Sequence, residues 1–282
     1  MALYELDDPG ELVEPVLIAA FEGWVSAGSA GIGTASHLAD DSPIIATFDS
    51  DALYDYRANR PPIDFKEGVL QHIHWPEMNL RRRSLGGRDL LILTGTEPNW
   101  NWRRFGTEVS RLAESLGVVL HISLGGIPWA TAHTRPTSII TTASDESLVV
   151  GEHPEGLLRV PGSVVSALEY SIMRNGTPTI GFWAQVPHYV GSMYYPAVLA
   201  LVERVATQIG VSVPFGTLVD DAREQRTQLD EAIKNQPELQ FLVERLESAA
   251  DEAEGVSGEE LAAEIERYLQ QAAGDEGGPD LS

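Results

Sequence analysis

Val16-Leu-Ile-Ala-Ala-Phe21 runs into Glu22-Gly-Trp-Val-Ser-Ala-Gly28 and then Ser29-Ala-Gly-Ile-Gly33. The first six residues form a purely apolar run. A short apolar run closed by Gly23 reads as a strand buried on both faces. The small residues that follow open a helix from Gly28 to Leu38. A strand of this kind leading into a helix sets the pattern for the rest of the chain.

The same alternation recurs downstream. Ile44–Phe48, Leu90–Thr94, Val118–Ile122, Ser138–Thr142 and Thr179–Trp183 read as strands. Val69–Trp75 reads as another, expected to pair with the segment before Arg81. Phe105, Val109, Leu112 and Leu116 recur at helical spacing and predict a helix over Trp102–Leu116, stopped by Gly117. Ser163–Met173 and Pro196–Ile209 are also helical, the second with proline at its start and Gly210 past its end. Buried strands separated by helices imply an α/β fold, a three-layer α/β/α domain with a mostly parallel central sheet. Ligands in such sheets bind beyond the carboxyl ends of the strands.

The chain has 282 residues, no cysteine and a formal net charge of −23. Without cysteine, disulfides, zinc–thiolate sites and thiol nucleophiles are excluded. No apolar run approaches the roughly 20 residues a membrane helix needs. Glu5, Asp7, Asp8, Glu11 and Glu14 precede the first base, unlike a secretory signal. The expectation is a cytoplasmic protein bound to neither nucleic acid nor membrane, since a strongly acidic chain repels both. Residues 1–218 hold 24 acids against 14 bases, whereas residues 219–282 hold 18 against five. The expected division is therefore a core domain over 1–217, an acidic helical extension over 218–271 and a tail over 272–282 without enough apolar surface to order itself. In the extension, Leu239, Leu242, Val243 and Leu246 form one apolar stripe, and Leu261, Ile265, Tyr268 and Leu269 a second. Ser257 with Glu260 matches a capping box.

Four segments sit where strands end. Glu22, Gly23 and Trp24 begin the glycine-rich turn; its Gly28, Gly31 and Gly33 do not follow the dinucleotide spacing and suit tight helix packing better. Glu97 lies in Thr94-Gly-Thr-Glu-Pro-Asn-Trp-Asn-Trp102, where it can act as a base or support a helix N-terminus, with Asn99 or Asn101 as cap. His133 and Arg135 follow Leu124-Gly-Gly126, expected to be a loop. His188 and Tyr189 follow Phe182-Trp-Ala-Gln-Val-Pro187. If these segments share one rim, Glu22, Glu97, His133 and His188 resemble an acid/base or metal site. Metal spacing is absent apart from His72-Ile-His74, a weak signal. There is no Gly-x-Ser-x-Gly, and Ser163 reads as a helix cap. The two lysines, Lys66 and Lys234, lie outside any phosphate loop, and Arg81-Arg-Arg83 reads as a solvated edge, so ATP chemistry is disfavoured. No cofactor and no metal are expected.

Taken in order, several of these segments are familiar. Phe21-Glu-Gly-Trp24, Asp55-Tyr-Arg57, Arg60-Pro61, Thr94-Gly-Thr-Glu-Pro98, His133-Thr-Arg-Pro136 and Phe182-Trp-Ala-Gln-Val-Pro-His-Tyr189 together resemble the proteasome assembly chaperone family, in its actinobacterial-type branch. The resemblance spans about residues 14–250. It implies a phosphorylase/hydrolase-like α/β/α fold with a helical C-terminal extension, homo-oligomers such as trimers, and partners that include proteasome-related or other cytosolic proteins. It supplies no catalytic residues. Two positions depart from the family: Ser26 stands where aspartate is common, and the chain ends Pro279-Asp-Leu-Ser282 rather than in a hydrophobic–Tyr–any residue tail. The leading expectation is a non-enzymatic assembly or interaction protein. The alternative is a small-molecule hydrolase or phosphorylase working at the strand-end loops. A plain scaffold anchored by Trp100, Trp102, Trp129 and Trp183 is a third reading.

Overall fold

The computed structural model describes residues 3–252. The expected cap at Ser257, the stripe from Leu261 and the tail over 272–282 lie outside the described residues. In chain order the elements are β1 (Tyr4–Leu6), β2 (Val16–Glu22), α1 (Ala30–Ala39), β3 (Ile44–Phe48), α2 (Ser50–Leu53), β4 (Ile63–Lys66), β5 (Val69–Ile73), β6 (Met78–Leu85), β7 (Arg88–Thr96), α3 (Trp102–Ser115), β8 (Leu120–Trp129), β9 (Ile139–Ala143), α4 (Val164–Arg174), β10 (Thr179–Pro187), α5 (Tyr195–Ile209), α6 (Leu218–Lys234) and α7 (Pro237–Glu252).

Eight strands make the central sheet, in the order β1-β3-β6-β7-β2-β8-β10-β9. Its middle is parallel, β7-β2-β8-β10, and antiparallel strands extend it on both sides. Strand β2 shows why the sheet is a middle layer. Val16, Ile18 and Ala20 join one core cluster with α1 and α5. Leu17, Ala19 and Phe21 join the other with α3 and α4. The period-two alternation of a strand thus sends equally apolar side chains to two helical layers.

The glycine-rich turn after β2 serves packing. Gly28 has φ +57, and a Cβ there would stand 2.8 Å from the Cβ of Tyr194. A Cβ on Gly31 would lie 2.6 Å from the Leu124 carbonyl oxygen. Small residues let α1 lie directly on β8, as the sequence suggests.

Three local expectations are corrected. Leu124-Gly-Gly126 is not a loop: β8 continues through it to Trp129, paired with β10 along the whole length. A Cβ on Gly125 would meet the Trp183 ring at 2.8 Å, so the glycine marks a close approach inside the sheet rather than a turn. Val69–Ile73 does not pair with the segment before Arg81; it forms a separate two-stranded hairpin with Ile63–Lys66. Arg81-Arg-Arg83 is not a solvated edge but lies inside β6, between β3 and β7. There Arg82 binds the buried Asp89 at 2.9 Å, and Arg83 donates to the Leu38 carbonyl at 2.8 Å. The arginines tie β6 to the segments packed beside it instead of offering charge to a ligand.

The acidic helices pack on the core at two places. Leu218 is buried within the main cluster beneath α5. Farther out, Ile233 of α6 and Val243 and Leu246 of α7 form a small cluster around Ala132, with Tyr189 packed against it. The stripe Leu239, Leu242, Val243 and Leu246 therefore faces the turn that follows β8. Among the described residues, no helix is long and apolar enough to cross a membrane.

Candidate functional site

The carboxyl ends of β2, β8 and β10 border an open groove of about 610 Å³. Trp24, Ser26, Ser29, Pro128, His188 and Ser192 line it. Ser26 is occupied in shaping the turn. Its hydroxyl donates to the Gly23 carbonyl at 2.5 Å and accepts from the Gly23 N–H at 3.2 Å. His188 is exposed, with Nδ1 3.2 Å from the Trp129 carbonyl oxygen, which fixes the ring at the groove wall.

Glu97 sits at one corner of this region and is fully engaged by backbone. Its Oε2 accepts from the Trp24 N–H at 3.1 Å, and its Oε1 from the Val164 N–H at 2.8 Å. The Glu97 N–H donates to the Glu22 carbonyl at 2.7 Å. A single carboxylate thereby ties the turn after β2, the end of β7 and the first turn of α4 together. The charge lies at the N-terminus of α4, where the helix dipole favours it. The sequence points to a helix N-terminus, but to that of α3; the structure assigns Glu97 to α4, far along the chain. Asn99 and Asn101 do not cap α3 with their side chains either. Asn99 Oδ1 accepts from the Asp55 N–H, and Asn101 Nδ2 donates to the Ala52 carbonyl, so both fasten the segment around Tyr54. Glu22 is exposed and acts on Tyr54, whose hydroxyl pKa is raised first by burial and then by the Glu22 charge.

His133 belongs to a second constellation. It is buried, in the turn between β8 and β9. The His133 backbone N–H donates to Tyr189 Oη at 2.8 Å. Tyr189 Oη also lies 2.8 Å from His133 Nδ1, and Nε2 lies 3.1 Å from Asp230 Oδ1 on α6. Asp230 accepts, so the consistent proton order is Tyr189 O–H to Nδ1 and Nε2–H to Asp230. Burial pushes the Tyr189 hydroxyl up to about 12, which keeps it a donor at neutral pH. Arg135 reaches Asp251 on α7 at 2.6 Å, and Thr134 donates to Glu247 at 2.5 Å. Arg226 of α6 donates to the Arg135 carbonyl at 3.2 Å. His133-Thr-Arg135 is thus the seat of the α6–α7 pair.

The structure therefore divides the expected rim. Gly23, Trp24 and His188 share the open groove, with Glu22 and Glu97 on the stapled corner behind it. His133, Arg135 and Tyr189 face the acidic helices. A chain of rings links the two places: His188 to Tyr189 at 5.6 Å and Tyr189 to His133 at 5.8 Å between centroids. Glu97 has no free oxygen to act as a base in the groove. Sequence reasoning missed Asp230, Glu247 and Asp251, the partners of the His133 turn; acidic residues on an amphipathic helix look alike until one face is fixed. His72 and His74 do meet, 4.5 Å apart between centroids, but His74 binds Asp64 at 2.7 Å. Among the described residues, no group of three or more potential ligands is placed to hold a metal.

An eight-stranded mixed sheet between helical layers, with an acidic helix pair seated on a His-Thr-Arg turn, defines the class of protein. Comparison with known proteins then gives the family: the PAC2 family profile matches residues 20–233, and the chain belongs to that family. The match runs through most of α6. A Mycobacterium tuberculosis protein of unknown function is 34% identical, with 95% of this chain and 92% of that one covered and a TM-score of 0.84. A Mycobacterium tuberculosis proteasome-assembly chaperone homologue is 32% identical over 81% of this chain and 99% of its own, with a TM-score of 0.73. An archaeal proteasome activator from Pyrococcus furiosus shares the fold at 16% identity, covering 81% of this chain and 97% of that one with a TM-score of 0.62. A comparison with curated protein sequences finds no match.

Proposed function

We propose that the chain is a non-enzymatic, self-associating assembly protein that acts with proteasome-related partners in the cytoplasm. Membership of the PAC2 family supports the assembly role, as does the similarity to a proteasome-assembly chaperone homologue. The observation that carries self-association is the β4–β5 hairpin. Ile63, Phe65, Val69 and Leu70 are 49%, 65%, 61% and 52% exposed on a ribbon of two strands. Phe65 pairs with Leu70 and Ile63 with Ile73, so apolar side chains collect on one face. A two-stranded ribbon is marginal by itself and gains from being covered. The occupant is a second copy of this chain. At −23 overall, two copies repel over most of their surface. Residues 63–73 carry two acids and one lysine, and so offer a nearly neutral place to meet.

Light scattering tests this. Wild type is expected to run as a homo-oligomer, a trimer, and Phe65→Glu or Leu70→Glu at the monomer mass with unchanged circular dichroism. An unaltered mass in both folded variants removes the hairpin contact. Retention of wild type on immobilised, purified proteasome core particles tests the second half; no retention above an acidic control protein removes it.

The groove beside His188 supports a second reading, small-molecule hydrolysis or phosphorolysis at the strand ends. Turnover in a substrate screen that is lost in His188→Ala and kept in Phe65→Glu favours it; equal rates in wild type and His188→Ala sink it.

A further inference from the structure

Residues 154–162 form no hydrogen bond, from backbone or side chain, among the described residues. They follow Glu152, whose carbonyl oxygen accepts from the Thr141 N–H on β9, and lead to Ser163 at the start of α4. Within them Gly156-Leu-Leu-Arg-Val-Pro161 lies outside helix and strand, with Leu157 89% and Val160 45% exposed. Arg159 is exposed and has no ion pair among the described residues. A stretch of unpaired backbone that also carries exposed apolar side chains is suited to join an open sheet edge.

The β4–β5 ribbon has such an edge. Glu67 and Gly68 take φ of +51° and +80° in the turn between its strands, which closes the two strands tightly on each other. A ribbon of two strands is short of at least a third for a stable sheet. On β5 the Gln71 side-chain amide lies 3.1 Å from the Val69 carbonyl oxygen and 3.5 Å from that of Leu70. The outer side of β4 has no such cover: among the described residues its backbone pairs with β5 alone. β4 is four residues long, Ile63-Asp-Phe-Lys66, and matches the length of Leu157-Leu-Arg-Val160.

We propose that residues 157–160 of one copy add to the β4 edge of a second copy as a third strand. The proposal rests on the self-association proposed above and assigns the surface that meets the hairpin. Setting Arg159 opposite Asp64 puts Leu158 and Val160 opposite Ile63 and Phe65, whether the added strand runs parallel or antiparallel to β4. The apolar side chains then extend the apolar face of the ribbon, and the guanidinium meets the carboxylate that His74 holds at 2.7 Å. Opposite charges across neighbouring strands attract, which counts between two chains that carry −23 each. Pro154 and Pro161 have no N–H to give to a ladder and confine the added strand to the residues between them. Strand and ribbon are different surfaces, so the contact runs head to tail, as a ring of copies requires.

Hydrogen exchange on the full chain, with light scattering of the same samples, tests the added strand. In the wild-type oligomer the amides of residues 157–160 should exchange at least about tenfold more slowly than in Phe65→Glu. Fast exchange of these amides in an oligomeric wild type overturns the added strand and leaves self-association standing, whereas a monomeric wild type overturns both. Slow exchange that persists in Phe65→Glu means that something other than the β4 edge of a second copy holds the segment, and overturns the proposal too. The cysteine-free chain permits a second measurement that does not depend on Phe65→Glu folding. Asp64→Cys and Arg159→Cys, coexpressed with different tags, should give a two-chain product on mild oxidation that neither variant gives alone. A product from Asp64→Cys alone means that hairpin meets hairpin; that result, or a mixed oligomer without the mixed product, overturns the added strand.

Discussion

Glu97 and the His133-Thr-Arg135 turn both fasten distant parts of the chain, and they do so by different physics. Glu97 holds backbone with charge: two amide N–H groups, from Trp24 and Val164, converge on one half-buried carboxylate. The His133 turn holds side chains with side chains, on helices that carry most of their charge toward solvent. The first arrangement fixes the fold. The second fixes how the acidic helix pair rests on it. A charge that meets oriented dipoles loses little to reorganisation, while an exposed ion pair shares its energy with water and salt.

Glu97→Ala should have the largest effect. It removes both acceptors at once and leaves two backbone donors short of a partner, costing about 2–4 kcal/mol. Urea unfolding at constant pH measures it. A loss below that of Arg135→Ala would reverse the ranking of the two regions. His133→Ala is expected next, at about 1–3 kcal/mol, with its buried hydrogen bonds to Tyr189 and Asp230 gone. Its signature is selective: amide exchange rises in α6 and α7 while the sheet stays protected. Uniform deprotection would mean that the turn belongs to the core after all.

Acid should sharpen the contrast from another side. The folded His121 ring resists protonation down to about pH 4, against a usual value of 6.5. Between those values the unfolded chain binds the extra proton, so this contribution to stability is present above about pH 6.5 and is lost as pH falls toward 4. Glu169 runs the opposite way: its contribution is present below the usual value of 4.5 and is lost as pH rises through about 7. His121→Gln should flatten the acid limb and leave the neutral limb in place, as thermal melts at several pH values would show. A steeper acid limb in the variant contradicts the buried, neutral ring. The smallest effect belongs to Arg135→Ala. Arg135 and Asp251 are 41% and 65% exposed, so the loss stays under about 1 kcal/mol and fades in high salt.

Much of the layer structure is legible along the chain. Val16–Phe21 is apolar at every position, and only a strand between two helical layers buries both of its faces. The helix over Trp102–Ser115 follows from the spacing of Phe105, Val109 and Leu112. The end of β8 is not legible, because Gly125 and Gly126 look like a turn until Trp183 and Ala27 are found pressed against them. Nor is the pairing of Val69–Ile73: a strand's own residues do not name its neighbour. The site was legible as a set of strand-end segments and not as a geometry. Glu97 could be seen to favour a helix N-terminus, but which helix depended on a contact across 67 residues.

What the chain determines by itself is whatever depends on neighbours in sequence: alternating or helical burial, caps, the excess of acid after Thr217, and the segments that carry the family resemblance. What the tertiary structure decides is which polar groups meet. Hydrogen bonds and desolvation act over a few ångströms in space and are blind to separation along the polymer. That is why Glu97 becomes an anchor, His133 a seat for two helices, and His121 and Ser123 a hydrogen-bonded pair inside the core.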